Sequence, residues 1–243
     1  MYSHRQPRKK MFQTNPFALI VLFVGLSLLP FVAMIATSYL KIVIVMSLIR
    51  NALGIQSIPP NMVINALAMI LTFFIMAPIM QESWQTLNET QQARVKNVQA
   101  ANQPAAGQNA NMLGLETADF AAAAEPFRVW LSGHTSDRER AFFINTAERL
   151  WGKEDEPAVV DPESFYILIP SFCVSELTKA FQIGFLVYLP FIAIDIIVSN
   201  ILLAMGMMMV SPVTISLPFK LLLFVMVDGW TLLIQGLVRG YVL

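Results

Sequence analysis

Long runs of apolar residues without a charge constrain this chain most. From Phe17 to Leu40 no charged residue occurs. As a helix rising about 1.5 Å per residue, such a run covers about 30 Å of hydrocarbon. A second apolar half runs from Phe165 to Leu243 and carries only scattered charges. Across the chain 56% of residues are hydrophobic and 13% charged, against about a quarter charged in soluble domains. The fold class that follows is an all-α integral membrane protein: two long kinked helical hairpins flanking a small polar helical insertion.

Four segments are expected. Residues 1–16 form a basic lead with Arg5, Arg8, Lys9 and Lys10 and no acid. The lead and the apolar run behind it resemble a signal peptide, but the run exceeds a signal core and no clear small-x-small site closes it. Residues 17–80 form a hairpin. Its apolar pattern continues through Lys41 to Ile49 and stops at Arg50-Asn51, with a kink expected at Pro30. Gly54 and Pro59-Pro60 make the turn. Asn61 is the expected N-cap of a helix over Met62–Ile79 that ends near Pro78. Residues 81–163 form a polar insertion with thirteen acids and seven bases. Within it, Val95–Gly114 has linker composition, and Phe120–Leu131 and Asp137–Leu150 read as short amphipathic helices. Ser136 with Glu139 fits a capping box, and Phe142, Phe143, Ala147 and Leu150 make an apolar stripe. Gly152–Pro162 is an acidic loop. Residues 164–243 form the second hairpin: one long helix over Ser171–Met208, returning through Leu217–Val238.

The tip of that second hairpin is rich in methionine. Met205, Met207, Met208 and Met209 stand between an apolar segment and Ser211-Pro212. Methionine is unbranched and polarizable and re-packs around changing partners. The tip therefore reads either as a deformable seal or as a helix end in lipid that tolerates methionine.

Charges inside the apolar halves are costly at a bilayer centre, at least about 2.5–3.5 kcal/mol each on insertion scales. Lys41, Arg50, Glu176, Lys179, Asp195, Lys220 and Asp228 are therefore expected to face protein, water or the interface, paired between helices or between subunits. Glu176 and Lys179 are i,i+3 and can pair on one helix. The acids open to Lys220 are Glu176, Asp195 and Asp228. A proton-relay role for Asp195 or Asp228 competes with buried pairs that fix assembly register.

Enzymatic chemistry has no visible seat. The single cysteine, Cys173, excludes an internal disulfide or a cysteine metal cluster, and His4 and His134 lie far apart. No nucleophile triad, metal-ligand spacing or phosphate loop occurs, so no cofactor is expected. No basic patch interleaved with aromatics points to nucleic acid.

Several motifs occur in order. They are Leu28-Leu-Pro-Phe31, Thr37-Ser-Tyr-Leu-Lys-Ile42, Ile49-Arg-Asn-Ala-Leu-Gly-Ile-Gln56 and Ile58-Pro-Pro-Asn61. Then come Ser175-Glu-Leu-Thr-Lys-Ala-Phe-Gln-Ile-Gly-Phe185, Leu189-Pro-Phe191, Leu203-Ala-Met-Gly-Met-Met-Met209, Ser211-Pro-Val-Thr-Ile-Ser-Leu-Pro-Phe-Lys220 and Asp228-Gly-Trp230. Together they resemble the type III secretion export-gate family, called SctR in injectisomes and FliP in flagella. Leu40-Lys41, Ser211-Pro212 and the lack of a long cleaved leader lean toward the injectisome branch. The middle insertion departs from the family in its Ala and Asn content.

The resemblance implies a pore component of the bacterial inner membrane rather than an enzyme. It implies a ring or cone of roughly five copies, completed by companion small export-gate proteins of the SctS and SctT type. A large export-gate protein and a basal-body ring would be further partners, and unfolded secreted proteins the cargo. The family's methionine gasket maps onto Met207, Met208 and Met209. The positive-inside rule puts the Arg5–Lys10 segment in the cytoplasm, and two full spans would return the insertion there. The resemblance instead implies an insertion on the periplasmic side. A proton-coupled small-solute transporter is the competing function, with a substrate site expected near the midplane.

Overall fold

The computed structural model describes residues 16–55, 58–100, 117–152 and 159–242. The basic lead, the linker core at 101–116 and most of the acidic loop, 153–158, lie outside the described residues. Eight helices and no strand are found among those described: α1 Pro16–Ile35, α2 Tyr39–Ala52, α3 Asn61–Ala100, α4 Thr117–His134, α5 Asp137–Trp151, α6 Phe165–Ala204, α7 Pro212–Met226 and α8 Gly229–Arg239. Residues up to Met34 form a unit of their own. That unit holds nearly all of α1, an uninterrupted apolar helix with Pro30 inside it. The second unit contains every other helix.

Two helices, α3 and α6, are long and apolar enough to cross a membrane, and α7 with α8 pass the same test as a pair bent by 59°. Each long helix has 40 residues, about 60 Å at 1.5 Å per residue. That is about twice the hydrocarbon thickness of a bilayer.

The helix starting at Asn61 does not stop near Pro78. It runs through the proline to Ala100. Gln81–Ala100 is built largely from good helix formers, and α4 packs along it. An ion pair between Arg94 and the fully buried Asp119 ties the two. The proline costs one backbone hydrogen bond, which this contact offsets. The residues of Val95–Gly114 up to Ala100 are therefore helix rather than linker. Asn61 is not an N-cap either. The Pro60 carbonyl accepts from Val63 and Ile64, and the Asn61 side chain accepts from Arg50.

The second hairpin departs from expectation at both ends. Helix α6 begins at Phe165, not Ser171, and ends at Ala204, not Met208. The return is two helices rather than one over Leu217–Val238. They break at Asp228, which adopts a left-handed φ of 53°. In the insertion, α4 and α5 extend beyond the expected spans. Ser136 stands at the N-cap position of α5 but makes no side-chain cap hydrogen bond, and its amide donates to Ser175 Oγ at 2.9 Å rather than to Glu139. The Ser136 hydroxyl holds the Glu139 carboxyl below the usual carboxylate range. Of the expected stripe on α5 only Ala147 is buried, while Phe142 and Leu150 are exposed. Phe142 meets Phe143 edge-to-face at 5.3 Å on the same helix.

Two cores lie along α6. One gathers Ile42, Val45, Met46 and Ile49 of α2 with Ala180 and Phe191 of α6, Phe224 of α7 and Leu237 of α8. The other gathers Trp130 and Leu131 of α4 with Leu168 and Phe172 of α6, Met76 of α3 and Tyr241. Close approach of α2 and α6 depends on Gly184, where an added Cβ would stand 2.3 Å from Leu48 Cδ1. Small residues let helix backbones approach in this way. Replacing Gly184 by Leu overpacks this contact and should cost about 1–3 kcal/mol. The check is the thermal midpoint of the detergent-solubilised protein. An unchanged midpoint would mean that the two helices have room to spare.

Candidate functional site

Three features stand out where the sequence pointed to function: the methionine turn and two clusters of charge. The turn begins with a helix stop. Gly206 has φ +74°, the left-handed conformation that glycine adopts without a Cβ penalty. The Met207 amide bonds Leu202 O at 3.0 Å and the Gly206 amide bonds Leu203 O at 3.0 Å. This paired 6→1 and 5→2 pattern satisfies the last carbonyls of α6. Pro212 then opens α7, with Ser211 as its N-cap, where a missing amide costs nothing. The chain is thus turned within a few residues by a closed backbone network. The methionines are left over: Met208 is 82% and Met209 101% exposed, with Met205 and Met207 also exposed. No part of the described chain covers them.

The first charge cluster is centred on Glu176, which is fully buried. Lys41 of α2 lies 3.0 Å from its Oε2 and Lys179, one turn along α6, 3.2 Å from its Oε1. The Tyr241 hydroxyl donates to Oε2 as well. Burial, then the neighbouring carboxylate, pushes the Tyr241 hydroxyl far above its usual range, so it stays a donor. Lys41 also sits 3.6 Å from the centroid of the Tyr241 ring, a cation–π geometry. Lys179 donates at 2.7 Å to the His134 carbonyl at the end of α4. One carboxylate therefore joins α2, α4, α6 and the C-terminal segment.

The second cluster braces the methionine hairpin. Asp195 of α6 accepts from Lys220 at 2.6 Å and from Ser216 Oγ at 2.6 Å, both on α7. Lys220 is 4% exposed and donates onward to Ala52 O at 3.2 Å. That carbonyl lies at the end of α2, where unsatisfied helix carbonyls favour a cation. Of the three acids open to Lys220, its partner is Asp195.

Of the remaining charges, Arg50 and Asp228 behave differently. Arg50 donates to Pro59 O at 3.3 Å and to Asn61, pinning the α2–α3 turn. Asp228 sits at the α7–α8 break. Neither belongs to an ion pair among the described residues. Tyr241 is the residue that sequence reasoning missed, and no spacing pointed to it. The role of His134 had one signal, Trp130 and His134 at i,i+4 on one helix face, where the two rings lie 4.7 Å apart. No group of three or more His, Cys, Asp or Glu that could hold a metal ion is found among the described residues.

Fold and site together define a helical membrane-type protein with an exposed methionine tip and two internally paired charge clusters. Comparison with known proteins gives the family. The chain belongs to the FliP family, whose model matches residues 22–237. It is 46% identical over 225 residues to Yop proteins translocation protein R of Yersinia pestis, covering 92% of this chain and 95% of that one. It is likewise 46% identical to the hypersensitivity response secretion protein HrcR of Ralstonia nicotianae, covering 92% and 96%. The flagellar biosynthetic protein FliP of Bacillus subtilis is 39% identical over 223 residues, covering 92% and 90%. The injectisome-type relatives are thus somewhat more similar than this flagellar one.

The Glu176 cluster makes an ordered prediction. Glu176→Gln leaves two cations around a neutral amide, and breaking a buried pair costs about 3–5 kcal/mol. Tyr241→Phe removes one hydrogen bond to a charge and keeps the ring, at about 1.5–3 kcal/mol. Denaturant titration of the solubilised protein should rank the variants in that order. The reverse ranking would move the hub from the carboxylate to the tyrosine.

Proposed function

We propose that this chain is a core pore-forming subunit of a type III export gate in the bacterial inner membrane, passing unfolded protein substrates. Family membership supports an export role in general, and the relatives' names speak of translocation and secretion. The observation that carries the finer reading is the methionine turn: adjacent methionine side chains, exposed, on a tightly closed backbone.

In this reading several copies, roughly five, converge with their turns on one axis. Companion proteins of the SctS and SctT type complete the ring, a large gate protein and basal-body ring adjoin it, and the assembled part projects toward the periplasm. The thioethers meet, exclude water and ions, and yield to cargo of any sequence, because methionine rotamers exchange at little cost. The exposed apolar rows on α3 and α6, such as Phe73, Phe74, Phe181 and Phe185, become contacts between subunits or with lipid. The two charge clusters keep each hairpin rigid behind its soft tip. The chain's part in export is mechanical: it lines, seals and yields, and takes no part in bond making.

Replacing Met207, Met208 and Met209 together with Ala should make the assembled gate leak. Three leucines in their place should keep the seal but slow export. The measurement is small-solute uptake and secreted protein in cells holding the complex at matched levels. Unchanged uptake in the alanine variant would return the methionines to ordinary apolar packing.

A further inference from the structure

Arg50, Asp228 and Arg239 are the charges of the apolar halves that the internal clusters leave over, and the first two lie together. Arg50 uses one terminal nitrogen on the α2–α3 turn, but its Nε is buried and has no partner. Both side chains line one cavity of about 340 Å³, together with Pro59, Leu221 and Trp230. They are not paired with each other. The wall of this cavity therefore carries one cation and one anion, each without an opposite charge.

A second cavity, of about 490 Å³, adjoins the first. Its lining is apolar throughout and includes Ile183, Val187, Pro190, Leu232 and Gly236. Phe224 and Gly229 belong to both walls. A Cβ at Gly229 would come within 2.3 Å of the Phe224 ring, so the glycine is what lets that ring stand as the partition. At Gly236 nothing lies within 4 Å of the Cβ position, and the slot is open there. An apolar slot of this kind offers water no hydrogen-bond partner.

We propose that the two cavities bind one zwitterionic phospholipid with a primary-amine headgroup. The guanidinium takes the phosphate, the pairing that its planar donor array favours. The Asp228 carboxylate takes the ammonium, which offers three donors. One acyl chain fills the apolar slot behind Phe224. Charge complementarity selects a zwitterion: a net negative headgroup leaves Asp228 opposed, and an uncharged one leaves both residues unmatched. The N–H donors of a primary amine, which a quaternary choline lacks, select the ethanolamine type. The lipid holds the α2–α3 turn against the α7–α8 break, two places where the helices stop. This site depends only on the chain lying in a bilayer, not on what the protein exports.

The test uses the protein purified from membranes in its native assembly. Native mass spectrometry reads the lipid retained after addition of dioleoyl phosphatidylethanolamine, phosphatidylglycerol, phosphatidylcholine or diacylglycerol. The unmodified protein should keep one phosphatidylethanolamine per copy and hold it about tenfold more tightly than the other three. Arg50→Gln and Asp228→Asn should each remove that preference, and Gly236→Phe should block retention without touching a charge. Equal retention of all four lipids by the unmodified protein overturns the proposal without any variant. So does loss of assembly in Arg50→Asp and in Asp228→Arg that is restored when both are present, because the two charges then pair between copies.

Discussion

A single desolvated carboxylate organises this molecule. Glu176 cannot be left alone in an apolar interior, because a buried charge without a partner is among the most costly arrangements a protein can hold. It is fully buried, so its partners must come to it: Lys41 from α2, Lys179 from its own helix, and Tyr241 from the end of the chain. Lys179 in turn holds the last carbonyl of α4. The packing of α4 against α6 and the seating of Tyr241 among Trp130 and His134 follow from that requirement. Apolar contact alone is non-directional and would allow these helices to slide; the carboxylate sets their register.

The same logic recurs nearer the tip, with a different result. Asp195, Ser216 and Lys220 fasten α6 to α7, and Lys220 fastens both to the end of α2. Beyond this brace the backbone closes through Gly206, and the methionine side chains stand exposed. Rigid backbone with compliant side chains is the combination that the proposed seal requires. A tip softened in its backbone would lose position, and one built from branched side chains would lose compliance.

Much of this was legible in the sequence because it is local. Apolar runs located α1, α2, α3, α6 and the α7–α8 return, and i,i+3 spacing paired Glu176 with Lys179. The errors have physical causes. Pro78 read as a stop, but α4 supports α3 beyond it through Asp119 and Arg94. The end of α6 was placed at Met208, although Gly206 four residues past the last helical turn's Leu202 carried the stop signal in its left-handed φ. The break at Asp228-Gly229 had the same kind of signal. Tyr241 was invisible, because its role comes from Glu176, 65 residues away, and no spacing rule reaches that far. The choice of Asp195 for Lys220 likewise needed the fold.

The proposed ring rests on three features: α3 and α6 are each about twice as long as a bilayer needs, many of their apolar side chains are exposed, and so are the methionines of the turn. Native mass spectrometry of the chain co-expressed with the two small export-gate proteins proposed as companions tests this most directly. The account predicts one large assembly containing several copies of this chain together with both companions. A stable monomer that binds neither companion, or one that carries solutes into liposomes unaided, would contradict it.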